Sequence, residues 1–295
     1  LFLAQGEDGT RLIAEQVSHH PPVTACYLWN DQAGIRAEGY ACQEISFNGS
    51  VNVKQIGHAI LHFDAYKEDY LIPLADVKIK GILSGATYPE LDGEYHITSS
   101  TGFVSEIDFS GKKLLGGKKN SVHATLFRQE PTGDKKHPLF TISGQWNDEM
   151  TIYEGGDDGR AIETINVPAL KSLPMKVEDL EQQDEWESRK AWAGVIAALS
   201  NGDMQRTVDE KSKAEEAQRQ MRKREEEKGV KWEPLFFSRL QTTRDPILED
   251  LATDLMKDGL FSSRSGMWKF NHEKLKKGIE KPFRGSLKPS LGQLQ

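Results

Sequence analysis

Glu15-Gln16-Val17-Ser18-His19-His20-Pro21-Pro22 concentrates more potential chemistry than any other stretch of this sequence. Two adjacent imidazoles stand directly before two prolines. Proline lacks an N–H and restricts the residue before it, so a strand running through Glu15 to Ser18 must stop there. Neighbouring side chains of a regular strand face opposite ways, but at such an end the pleat relaxes and both rings are free to lean to one side. Near pH 7 histidine takes up a proton readily, and a dianionic phosphate beside it favours the charged form. A plainer role competes: one ring a satisfied core histidine, the other a surface residue. Zinc would need three or four protein ligands. His58 and His62 share a strand face but lack the cysteine or carboxylate spacing that would complete a site. Ser18 lies in no Gly-x-Ser-x-Gly elbow, so hydrolysis has no convincing nucleophile.

A second group is Lys211, Glu215 and Arg219, four residues apart and therefore on one stripe of a helix. Such a stripe is either a solvated salt-bridge ladder or a carboxylate holding two cations in position for an anionic headgroup. Spacing permits both. Residues 111–121 read GKKLLGGKKNS, but Gly-x4-Gly-Lys-Ser/Thr would require lysine where Gly117 stands, so no nucleotide loop is present. Lys118 and Lys119 are either exposed turn lysines or contacts for membrane phosphates.

These residues need elements to position them. From Arg11 to about Val167, short runs rich in β-branched and aromatic residues alternate with turn signals such as Asn48-Gly49, Asp92-Gly93 and Asp157-Asp158-Gly159. Roughly ten strands with hairpin-length links predict a mainly antiparallel barrel or sandwich over residues 1–167. Beyond Pro168 a mainly helical part, residues 168–295, follows. Glu187–Leu199 is predicted to be an amphipathic helix. Asp203–Lys228 is a longer one, with eight acidic and eight basic residues and a stop at Gly229. A short helix near Ile247–Lys257, an aromatic patch at Met267–Phe270 and a frayed end complete the chain, which contains no internal repeat.

Composition narrows the class. Of 295 residues 37% are hydrophobic and 28% charged, as in a globular protein, and the net charge of −7 argues against a general nucleic-acid binder. Ala191–Leu199, the longest apolar stretch, is about half of a bilayer span. Cys26 and Cys42 are the only cysteines and lie in strand-like runs, which points to a reducing, cytosolic setting without disulfides. The chain starts at Leu1 without a signal peptide and reads as a fragment of a longer one.

The string EQVSHHPP at 15–22 resembles the fingerprint of the oxysterol-binding-protein family. GKKNSV at 117–122, SGQW at 143–146, ESRKAW at 187–192, and Lys228-Gly229 followed by Trp232 occur in the same order. The resemblance runs to about residue 240, with an echo at Trp268–Phe270, and is strongest to the short fungal members. It implies a mainly β fold with α: an incomplete, many-stranded antiparallel barrel around a lipid tunnel, a C-terminal helical subdomain packed outside and a mobile lid. It further implies that His19 and His20 bind the 4-phosphate of phosphatidylinositol 4-phosphate with Lys211, Glu215 and Arg219, and that Gln55 lines the tunnel. The family's lid and its lysine and asparagine phosphate ligands lie upstream of Leu1, and Ala41 stands where the family has asparagine. The expected function is a cytoplasmic, monomeric, non-enzymatic carrier without cofactor or metal. It would exchange sterol and phosphatidylinositol 4-phosphate during transient contact with organelle membranes of the endoplasmic reticulum and Golgi. The alternative is a sensor that binds lipid without net transport.

Overall fold

The computed structural model describes residues 1–82, 85–111, 118–129, 137–240, 245–252, 260, 262, 264–277 and 280–285. Thirteen strands come first: β1 (Phe2–Gly6), β2 (Arg11–Ser18), β3 (Val23–Asn30), β4 (Ile35–Phe47), β5 (Val51–Phe63), β6 (Glu68–Pro73), β7 (Asp76–Lys80), β8 (Tyr88–Ser99), β9 (Phe103–Ser110), β10 (Ser121–Arg128), β11 (Phe140–Gln145), β12 (Glu149–Glu154) and β13 (Arg160–Asn166). With β14 (Met175–Lys176) they form a fourteen-stranded sheet. Its order is β13-β12-β11-β10-β9-β8-β6-β5-β4-β3-β2-β1-β14, with β7 bracing β5 and β8.

The sheet holds more strands than the roughly ten expected, and it begins at Phe2 rather than Arg11. β13 shows why: six of its seven residues are exposed, so no apolar alternation marks it, and only pairing with β12 makes it a strand. β14, from beyond Pro168, returns to β1 through Gln5↔Lys176 and Gly6↔Met175. The segment after Val167 therefore contributes to the sheet as well as to the helices.

The helices are α1 (Ser188–Ala191), α2 (Ala193–Ser200), α3 (Met204–Glu227), α4 (Pro246–Leu251) and α5 (His272–Lys276). The single helix expected over Glu187–Leu199 is broken at Trp192, whose φ of −103° and ψ of 10° end one helix and cap the next. α3 matches its expected span closely. Asp203 caps its first turn by accepting from Arg206 N, and Gly229 follows the C-cap at a φ of 63°, where a Cβ would be strained. α4 covers the start of the short helix expected at Ile247–Lys257 and ends at the extended Ala252; residues 253–257 lie outside the described residues. Trp268–Phe270 forms β16 and pairs with β15 (Phe237–Arg239).

Strand register divides the sheet into two faces, because residues directly opposite one another share a side. One face carries Val23, Ala25, Tyr27, Tyr40, Ile60 and Leu71, all buried against Phe236, Phe237, Leu248, Met267 and Phe270 of the C-terminal part. Tyr27 stacks on Phe270 at 4.0 Å between ring centroids. The junction is also polar. Lys269 Nζ reaches Glu38 at 2.6 Å and Asp245 at 2.8 Å. Burial opposes the Lys269 charge, but the two carboxylates outweigh it and hold its pKa above the ordinary value.

Candidate functional site

β2 ends in a bulge: its register against β3 shifts between Gln16 and Ser18. A bulge bends the strand and re-aims the side chains that follow it. Beyond it His19 and His20 are both exposed, their rings 4.1 Å apart and edge to face, and the His20–Pro21 peptide bond is cis. Neither ring is a core histidine. That part falls to His58, which is buried and hydrogen-bonded through Nδ1 to the Leu260 carbonyl at 3.0 Å. His62 is taken up by Asp69 at 2.7 Å and Asp64 at 3.2 Å. Among the described residues no three of His, Cys, Asp and Glu are grouped to hold a metal.

Arg222 and Glu215 of α3 lie within electrostatic reach of His19. Burial, the neighbouring His20 and the Arg222 guanidinium lower the His19 pKa below its ordinary 6.5, with Glu215 acting against them. Lys211 pairs with Glu215 at 3.7 Å, but Arg219 turns instead to Glu216 at 3.0 Å. Glu215 thus holds one of its two expected cations, since Glu216 is within the i, i+3 reach of Arg219. These pairs are exposed and screened by solvent, and would yield to a stronger anion. Arg222 escaped the sequence reading; its signal was its place three residues beyond Arg219 on the same stripe.

The helix is fixed from behind. Its buried side carries Ala217, Met221 and Glu225. Burial raises the Glu225 pKa, opposed by Arg284 and Arg222. Arg284 lies 3.5 Å from the Trp232 ring centroid and 3.9 Å from Glu15. Glu15, on β2, is buried and accepts from the backbone N–H groups of Leu235 at 2.6 Å and Phe236 at 2.9 Å. One carboxylate of the EQVSHHPP string therefore anchors the C-terminal segment, while its histidines stay free.

The face of the sheet opposite the core is apolar yet uncovered. A row of small residues, Ala14↔Cys26↔Gly39↔Ala59, crosses β2, β3, β4 and β5. Beside it runs Leu12↔Leu28↔Ala37↔Leu61. Close approach explains part of the choice: a Cβ on Gly39 would stand 2.3 Å from the His58 carbonyl oxygen. None of these eight residues is buried. Small side chains keep this strip of the sheet low, and an apolar molecule laid on it would bury surface at about 25 cal/mol per Å². Gln55 lies on this face opposite Gln43; its Nε2 donates to the Ala75 carbonyl at 2.5 Å and its N–H to Asp76 at 2.8 Å. Ala41 is on the same face, opposite Gly57.

Lys119 sits with Nζ 3.8 Å from the Tyr88 ring centroid, and the Lys118 carbonyl accepts from Ser121. The rest of the glycine–lysine segment, residues 112–117, lies outside the described residues. Among the described residues no helix is long and apolar enough to cross a membrane.

The family model described as "Oxysterol-binding protein" matches residues 2–195 and 196–277. The chain is 50% identical over 294 residues to "Probable transporter efuK" of Hormonema carpetanum, a match covering 98% of this chain and 42% of that protein. It is 37% identical over 235 residues to "Protein kes1" of Schizosaccharomyces pombe, covering 79% and 60%. The chain thus spans about half the length of these curated relatives. Its structure resembles that of the Osh1 ORD domain crystallised with cholesterol, with a TM-score of 0.64 and 19% identity over 94% of this chain and 67% of that one. It also resembles the Osh3 ORD of Saccharomyces cerevisiae crystallised with PI(4)P, with a TM-score of 0.60 and 21% identity over 79% and 62%. At such identities the likeness is one of fold, the large incomplete antiparallel barrel.

Proposed function

Since this chain belongs to the oxysterol-binding protein family, we propose that it carries one lipid at a time, exchanging sterol against phosphatidylinositol 4-phosphate between membranes. The observation behind this reading is a charged rim beside an uncovered apolar face: two exposed imidazoles in contact, with Glu215 and Arg222 within electrostatic reach. In it the acyl chains or sterol rings lie along the small-residue strip, and His19, His20, Lys211, Arg219 and Arg222 surround the 4-phosphate. Gln55 offers the strip a polar group. Solved relatives crystallised with cholesterol and with PI(4)P favour the same pair of cargoes. The reading needs no covalent step, cofactor or metal. It makes the protein a cytoplasmic monomer that touches the endoplasmic reticulum and Golgi only while loading and unloading.

The test is transfer between two liposome populations, one donating a fluorescent sterol and the other phosphatidylinositol 4-phosphate. A carrier accelerates movement of each lipid, and faster when the other is present on the opposite population. A sensor binds both and accelerates neither, which would refute exchange. Proton linkage gives a second expectation. With its pKa held below 6.5, His19 is largely neutral at pH 7, and a bound phosphate dianion favours its protonation. Headgroup affinity therefore rises as pH falls from 8 towards 6.5, and calorimetry in buffers of different ionisation enthalpy shows proton uptake; a flat profile would count against His19 as a ligand.

A further inference from the structure

The hairpin of α2 and α3 exposes apolar surface that the fold does not use. Trp192, Ile196 and Leu199 recur at i, i+4 and i+7 along α2, and Met204 and Val208 at i and i+4 on the first turns of α3; all five are between 39% and 61% exposed. A helix that only packs on its own protein turns such a stripe inward. The stripes meet where the chain reverses through Gly202, between Leu199 and Met204. On α3 the apolar pair continues into charge: Met204, Val208, Lys211, Glu215, Arg219 and Arg222 follow one another at steps of three or four residues, setting three cations against one acid. Lys213 engages Glu210, while Lys211 and Arg219 are themselves shared with Glu215 and Glu216 in exposed pairs that a lipid phosphate can displace.

We propose that this hairpin is the surface by which the protein docks on a bilayer carrying anionic headgroups. The apolar end enters the boundary between headgroups and acyl chains while Lys211, Arg219 and Arg222, before they close on a cargo phosphate, lie over the phosphates of the bilayer. Apolar insertion beside Lys and Arg is the combination that interfacial helices use, and anionic lipids reward it. A second copy of this chain packed two-fold on the same face would instead set these cations against themselves. The inference rests on the function proposed above in one respect, that α3 presents the headgroup stripe, and it adds which side of the molecule meets the membrane.

Flotation with vesicles of phosphatidylcholine alone or mixed two to one with phosphatidylserine tests it, comparing the protein with an Ile196→Asp/Leu199→Asp variant. Both residues are about half exposed and lie outside the core, and a thermal melt checks that the variant remains folded. The expected result is binding that favours the anionic vesicles, weakens with salt, and falls about tenfold or more in the variant. A bimane label on Ser200→Cys, placed in a Cys26→Ser background, should be quenched by brominated lipid. Undiminished binding of the variant, an unquenched label on vesicle-bound protein, or a salt-stable dimer through this face would each overturn the proposal. Calorimetry with soluble glycerophosphoinositol 4-phosphate separates the two readings. Docking without headgroup binding sinks the headgroup assignment and leaves the surface standing; headgroup binding without docking sinks the surface alone.

Discussion

Replacing His19 and His20 together by alanine should lower extraction of phosphatidylinositol 4-phosphate by about two to four orders of magnitude while changing sterol uptake less than about twofold. Two imidazolium donors give a phosphate charge-assisted hydrogen bonds of about 1.5–3 kcal/mol each, and every 1.4 kcal/mol is tenfold in affinity. Both rings are exposed and neither packs in the core, so their removal leaves the fold intact. Sterol lacks the phosphate and should not register their loss. Arg222→Glu should act in the same direction, because it sets a carboxylate beside His19 where a guanidinium now stands. Extraction measured from vesicles containing each lipid separately decides the matter. Parallel loss of both cargoes would mean that the histidines support structure, and undiminished phosphoinositide uptake would remove them from the site.

Glu15→Ala should destabilise the protein by about 3–5 kcal/mol, a large fraction of the stability of any domain. The carboxylate is 5% exposed, accepts from two backbone N–H groups and faces Arg284. Alanine leaves the Leu235 and Phe236 N–H groups without their acceptor and removes the charge opposite Arg284, which keeps its hydrogen bond to the Glu233 carbonyl. Glu15→Gln keeps one acceptor and loses the charge, so about half of that cost is expected. Hydrogen exchange at the Leu235 and Phe236 amides, together with urea unfolding, reports the effect locally and globally. Unchanged protection of those two amides in Glu15→Ala would show that the C-terminal segment is held by its apolar contacts alone.

Two carboxylates therefore have different fates although both are glutamates beside basic residues. Glu15 sits four residues from Arg11 on a strand face that the C-terminal segment covers, and it became an anchor. Glu215 sits on a helix stripe and stayed in solvent with Lys211. Nothing local distinguishes them. Burial depends on which face of β2 meets Phe236 and Phe237, residues more than two hundred positions away. Arg222 was overlooked for a related reason: a stripe of period three to four continues indefinitely on paper, and only the approach of β2 shows where along α3 it matters.

The amino-acid sequence by itself determined the antiparallel β character of the chain from Arg11 to Glu154, the limits of α3 and the abrupt end of β2. Each of these follows from local constraints: alternation with turn residues, a side-chain cap with a glycine stop, and prolines that forbid continuation. Tertiary structure alone decided that His58 rather than His19 or His20 is the core histidine, that Arg219 pairs with Glu216, and that Ala14, Cys26, Gly39 and Ala59 form one row. The reason is register. A cross-strand row joins residues far apart in the chain, and a slip of one position would have turned every one of them to the opposite face.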